Sequence, residues 1–217
     1  INDYFDAPID AKQKKHRPIP SGRIQRNHVL FFSIALLVIG VFFASLLPPL
    51  SLSIAVFFAG ILFLYSATMQ HIKFFGNLIV ALSVAFTFIF GASIHMITPL
   101  VVLVSLSPFF SNWAREIIKD VEDQETDRGT KLTLPHLLQP QQVNGIIGVI
   151  LLLAIISSYV AFVHGYAGLP YAILVTGANV FFILAGREVM NAHAAKGASL
   201  MKKGMLVGLV AIASLLV

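Results

Sequence analysis

The sequence predicts an all-α, polytopic transmembrane helical bundle, and three observations carry that expectation. Of 217 residues, 57% are hydrophobic and only 12% charged, with a mean hydropathy of +0.85, a balance far from that of soluble domains. Charge-free apolar runs recur near the length that a bilayer core demands, about 20 residues per helix. Finally, the charged residues fall into a few short blocks between those runs.

The complete runs are Val29 to Leu47, Leu50 to Ser66, Phe75 to Ile94, Ile97 to Ala114, Val143 to Val163 and Leu169 to Gly186. A seventh, Gly204 to Val217, is short for a span. The first residue is not Met, no apolar helix precedes the opening acidic run, and nothing there resembles a signal peptide. An N-terminally incomplete chain is therefore expected. There is no cysteine, so disulfides and thiolate sites are excluded.

If these segments alternate direction, every Lys, Arg, Asp and Glu falls on one face of the membrane. The other face receives only Pro48 and Pro49, His95 with Met96, and His164 to Gly168. The bias of Lys and Arg toward the cytoplasm predicts that the charged face is cytoplasmic. A net charge of +5 serves as a topology signal and also as an attraction for an anionic head group or diphosphate. Because the basic residues are tied to membrane loops, no nucleic-acid partner is expected; the lipid bilayer is the partner, and oligomeric state is not legible.

Within the charged face, two acidic runs share the spacing Asp-x-x-x-Asp: Asp6 with Asp10, and Asp123 with Asp127. They lie in the expected motif loops 1–28 and 112–142. Residues four apart share a helix face, so Asn2, Asp6 and Asp10 form one stripe and Glu116, Asp120, Asp123 and Asp127 another. Stacked carboxylates repel unless neutralised, and Mg²⁺ bridges one or two carboxylates to water and phosphate oxygens. Two facing clusters suit a pair of Mg²⁺ ions holding a diphosphate. The plainer alternative is a pair of solvated helix ends whose acids partner nearby Lys and Arg. Pro8 interrupts the first stripe, where it would clash with the carbonyl of Tyr4; a kink, or an Asp10 beyond the helix end, is expected.

Each acidic run is followed by basic residues and then proline. Lys12, Lys14, Lys15, Arg17, Arg23 and Arg26 surround the turn at Pro18, Pro20, Ser21 and Gly22, a loop suited to closing over phosphate. Arg115, Lys119, Arg128 and Lys131 flank the second run, which ends at a helix break near Leu134 and Pro135. The shared order suggests two related halves.

These motifs resemble the UbiA superfamily of intramembrane prenyltransferases. NDYFDAPID with RPIPSGRI looks like its first signature, and Asp120, Asp123 and Asp127 match its second. Within it, GNLIVALSVAFTFIFGA and REIIKDVEDQETDRGTKLTLP are most similar to the archaeal digeranylgeranylglyceryl phosphate synthases. The resemblance implies a single transmembrane prenyltransferase domain over 1–217, with nine helices in complete members and about seven plus the end of one here. It implies Mg²⁺, held by Asn2, Asp6, Asp10, Asp123 and Asp127 with Asp120 in support. It further implies transfer of a geranylgeranyl group from geranylgeranyl diphosphate to geranylgeranylglyceryl phosphate.

On that basis Arg17, Lys73, Arg115 and Lys119 are the expected diphosphate contacts. Tyr65 is expected to bond the diphosphate or steady the allylic cation, or else to anchor a helix end at the interface. His16, His71 and His136 lie on the same face, without any of them marking itself as a base. Phe-rich segments such as Val84 to Phe90 are candidates for a prenyl cavity. Gly76, Gly91, Gly145, Gly148, Gly204 and Gly208 are expected at close helix contacts. The alternatives are a UbiA-type enzyme with an aromatic acceptor and, more distantly, an ion-coupled transporter. Transporter carboxylates usually sit near the bilayer midplane, whereas these spans are charge-free. A CDP-alcohol phosphotransferase would need an Asp-Gly pair followed by Ala-Arg within one acidic motif, which is absent.

Overall fold

The computed structural model describes residues 1–69, 73–129 and 132–216, excluding the side chains at 13, 69, 73, 74 and 216. Seven long helices follow a shorter first one: α1 (Asn2–Gln13), α2 (Arg26–Ala44), α3 (Pro49–Leu64), α4 (Lys73–Ala92), α5 (Pro99–Glu122), α8 (Pro140–Val163), α9 (Leu169–Met190) and α10 (Ala194–Ala213). Two single turns, α6 (Gln124–Asp127) and α7 (Leu134–Leu137), lie between α5 and α8. Proline opens α3, α5, α7, α8 and α9, where its missing N–H costs nothing.

The apolar runs are thus helices, as expected, and among the described residues five of them are long and apolar enough to cross a membrane. Phe31, Phe32, Phe42, Phe43 and Phe57 stand exposed, the arrangement of side chains that meet lipid rather than water. The tightly packed part is α5 with α8, α9 and α10. Ile117, Ile118, Ile147, Phe182, Ala185 and Met201 form its core near the charged end, with Val104, Ala161, Tyr171, Val175 and Ala211 clustered at the other.

Three helices run well past their apolar segments: α9 continues through Arg187 and Glu188 to Met190, and two others differ more. Helix α5 continues past Ala114 to Glu122, and α10 begins at Ala194 rather than Gly204. Hydropathy marks only the part of a helix that suits lipid, while the main chain continues its hydrogen bonding through charged turns. Arg115, Glu116, Lys119 and Asp120 therefore project from α5 itself, and Lys196, Lys202 and Lys203 from α10. The expected spans remain charge-free, and the charged turns extend the same two helices beyond them.

The glycine expectation is met in part. A Cβ on Gly204 would stand 2.7 Å from Phe182 Cε1 and 3.0 Å from the Ala178 carbonyl. Gly197, seven residues earlier on the same face, is as tight against Val189 and Ala185 of α9. Gly91, Gly145 and Gly148 face open space instead.

Candidate active site

The two acidic runs meet at one cavity of about 480 Å³ at the charged end of the bundle. Asn2, Asp3 and Asp6 of α1 line it on one side, and Glu116, Lys119 and Asp123 from α5 and its end on the other. Lys14 and Arg17 enter from the loop after α1, while Tyr65 and Ser66 come from the end of α3 and Asn77 from α4. One contact ties the runs directly: Lys14 Nζ lies 3.2 Å from Asp123 Oδ2, across 109 residues of sequence.

Helix α1 runs through Pro8 to Gln13, so Asp10 lies within the helix and not beyond its end. Pro8 leaves the Tyr4 carbonyl without its usual donor four residues on. Arg26 supplies one: its Nε donates to that carbonyl at 2.9 Å, and its guanidinium covers the Tyr4 ring at 4.2 Å. The stripe therefore survives, with Asp6 and Asp10 both buried. Asn2 Nδ2 donates to Asp6 at 2.9 Å, and Arg17 Nη1 donates to Asp10 at 2.7 Å while lying 3.8 Å from Asp3.

Asp120 and Asp127 are almost wholly buried, at 1% and 2% exposure, so neither stands at the cavity surface. Asn77 Nδ2 donates to Asp120 at 2.7 Å. That bond joins α4 to α5 and gives a buried carboxylate one of the partners it requires. Glu116 accepts from Arg115 at 2.7 Å and from Lys119 at 3.3 Å. Arg115 itself lines a different, apolar cavity deeper in the bundle. Lys73 opens α4, but its side chain lies outside the described residues, as do His71 and Lys131.

Tyr65 begins a π-helical turn, Tyr65–Met69, that ends α3, and such turns recur at functional sites. Its ring lies where any Cβ on Gly76 would be. His136 is engaged at both nitrogens, with Thr133 Oγ1 at 2.8 Å and the Gln124 carbonyl at 2.9 Å. It therefore pins the loop after the second run and is not positioned as a base.

Among the described residues no three His, Cys, Asp or Glu side chains converge on a shared metal position. The set that lines the cavity is nonetheless one of hard oxygen donors. It fits a cation that takes one or two carboxylates and completes its shell with water and phosphate oxygens, not one held in an all-protein cage. Sequence reasoning missed Asn77 and Ser66 as site residues and held Lys14 only as one of the cations around the phosphate-closing turn. None lies in an acidic run, and only the meeting of α1, α3, α4 and α5 brings them together.

A membrane-embedded helical bundle with two acidic motifs at one cavity defines the class, and the UbiA prenyltransferase family model matches residues 1–210. The chain belongs to that family and is an integral membrane prenyltransferase. It is 35% identical over 97% of its length to the digeranylgeranylglyceryl phosphate synthase of Methanococcoides burtonii, spanning 76% of that protein. It is 34% identical to the enzyme of that name from Methanopyrus kandleri, over its whole length and 81% of the relative. A solved structure from work on digeranylgeranylglyceryl phosphate synthase in membranes superposes with a TM-score of 0.78. That protein is 31% identical, over 97% of this chain and 77% of the other.

Proposed function

We propose that this enzyme transfers a geranylgeranyl group from geranylgeranyl diphosphate to the hydroxyl of geranylgeranylglyceryl phosphate, in archaeal ether-lipid synthesis. The reaction takes place at the cytoplasmic face of the cell membrane, within a single domain carrying the motif regions 1–28 and 112–142. The observation that carries the reading is the meeting of both acidic runs with Lys14, Arg17, Lys119 and Tyr65 around one cavity, together with the names of the relatives.

Asn2, Asp6 and Asp123 at the cavity, backed by Asp10, Asp120 and Asp127, would hold two Mg²⁺ ions. When bound, the ions supply Lewis-acid stabilisation to the departing diphosphate. Arg17 and Lys119, with Lys73 in the proposed set, add fixed positive charge where negative charge develops; Arg115, expected among them, lines the deeper cavity instead. Tyr65, at the same cavity, would bond the diphosphate or steady the allylic cation. As the bond between C1 and the diphosphate oxygen breaks, the acceptor oxygen bonds to C1. An ether forms, and pyrophosphate and a proton leave.

The test is transfer from radiolabelled geranylgeranyl diphosphate by the full-length protein, with and without Mg²⁺, offering geranylgeranylglyceryl phosphate and 4-hydroxybenzoate in parallel. Transfer to the glyceryl phosphate alone, abolished by EDTA and reduced at least about 100-fold in Asp6→Ala, is expected. Transfer to the aromatic ring would replace this reading with that of an aromatic prenyltransferase. The ion-coupled transporter is disfavoured, because the carboxylates gather at one end of the bundle rather than at mid-membrane.

A further inference from the structure

Among the described residues, two apolar cavities flank α4, and the smaller shares a wall with the acid-lined one. The smaller, about 260 Å³, lies between α3 and α4 against Phe58, Phe86 and Phe90 and shares Leu62 with the acid-lined cavity. Its only hydroxyls are spent on their own helix: Ser83 donates to the Ile79 carbonyl at 2.8 Å and Thr87 to that of Val84 at 2.6 Å. Nothing in it seeks a polar ligand. A plain hydrocarbon tail suits it.

The larger cavity, about 410 Å³, lies among α4, α5, α9 and α10. Val84 and Phe88 line it from the same face of α4 that presents Asn77 and Val80 to the acid-lined cavity. Its walls are mostly apolar, yet Arg115, Lys202, Asn112 and Asn179 also point to it. Asn179, only 4% exposed, donates to Ser158 Oγ at 2.9 Å, while its Oδ1 has no partner among the described residues. The Arg115 Nε is likewise buried without a partner, and Lys202 makes no ion pair among the described residues. The two buried atoms, Asn179 Oδ1 and Arg115 Nε, cost about 1–3 kcal/mol each when nothing meets them, whereas the exposed Lys202 carries no such cost. A hydrocarbon tail would leave them unmet.

The polar groups are also graded by depth. Counted from the charged ends of α5 and α10, Arg115 and Lys202 lie about 10–12 Å in. Asn112 and Asn179 lie about 15–17 Å in by the same rise per residue. Beyond them the walls are mostly apolar, with Val104, Leu209 and Ile212, and the polar Ser158 and Tyr171 found there are spent on internal hydrogen bonds, with Ser107 beside them. Cations first, amides next and apolar walls last describe the profile of an anionic amphiphile inserted tail first.

Resting on the function proposed above, we infer that this larger cavity is the acceptor site. It takes a single-chain lipid with a phosphate head, the phosphate between Arg115 and Lys202 and the glycerol at the level of the two amides. The donor's tail occupies the α3–α4 cavity. Glu116 links the two heads, since it accepts from Arg115 on one side and from Lys119 of the acid-lined cavity on the other. Lys202, exposed and outside the acidic motifs, becomes a residue specific to the acceptor.

Lys202→Ala and Lys202→Arg in the full-length protein in nanodiscs test this. Equilibrium binding of geranylgeranylglyceryl phosphate and of geranylgeraniol is measured alongside KM for donor and acceptor. Lys202→Ala is expected to weaken the phosphate lipid and raise the acceptor KM about tenfold or more, the effect of losing one charged hydrogen bond. The donor KM is expected to stay within about twofold, geranylgeraniol binding to be unaffected, and Lys202→Arg to restore the acceptor. Millimolar inorganic phosphate is expected not to displace the lipid. A rise in the donor KM instead, or no change in either, overturns the assignment while leaving the transferase reading intact. Lys202-dependent binding of the phosphate lipid without any transfer to it leaves the cavity standing and overturns the proposed reaction.

Discussion

Gly76 has no side chain where α4 passes the ring of Tyr65, and that absence fixes where the tyrosine stands. In Gly76→Ala the added methyl must displace the ring. Overpacking of this sort costs about 1–3 kcal/mol, less where a flexible side chain yields. The expected outcome is a small fall in thermal stability with a larger fall in prenyl transfer. Tyr65→Ala in the same chain is expected to remove the stability penalty, giving a coupling of about 1 kcal/mol in a double-mutant cycle; additivity would show that the ring and the glycine are independent. The acids of this site were legible because their spacing repeats, but their partners were not. That Asp10 meets Arg17, Asp120 meets Asn77 and Asp123 meets Lys14 depends on which helices adjoin, and single-residue spacing holds no record of that.

Helix α10 shows what hydropathy reads well and what it reads badly. Its apolar half was expected, but the turns carrying Lys196, Lys202 and Lys203 were taken for loop, because charge depresses hydropathy without breaking a helix. The π-helical turn after α3 escaped for a related reason: an extra residue in one turn alters no apolar pattern. Packing of α10 on α9 rests on Gly197 and Gly204, in keeping with small residues at membrane helix contacts. Gly204→Val is expected to lower stability by at least about 2 kcal/mol, since one neighbour is a backbone carbonyl that cannot yield. Gly148→Val, facing open space, is expected to change it by no more than about 0.5 kcal/mol. Thermal unfolding in detergent distinguishes the two.

For the whole molecule, helix alternation puts both acidic runs at one end, and this much of the architecture was present in the charge pattern alone. A chain without cysteine allows single thiols to report sidedness. In oriented vesicles, Ser21→Cys and His193→Cys are expected to react with an impermeant maleimide from the cytoplasmic face only, and His164→Cys from the opposite face only. A reversed pattern would invert the orientation; labelling of Ser21→Cys and His193→Cys from opposite faces would overturn the helix order. The position of α4 has a consequence for kinetics. With Phe86 and Phe90 turned to one apolar cavity and Val84 and Phe88 to the other, the proposed assignment of one substrate to each means that neither has to leave before its co-substrate enters. The enzyme is therefore expected to form a ternary complex, with double-reciprocal plots that intersect, whereas parallel lines would signal a ping-pong cycle. A bulky residue at Ala55, on the α3 wall of the smaller cavity, would then hinder one substrate without hindering the other, so that α4 acts as a partition between two separately filled stalls.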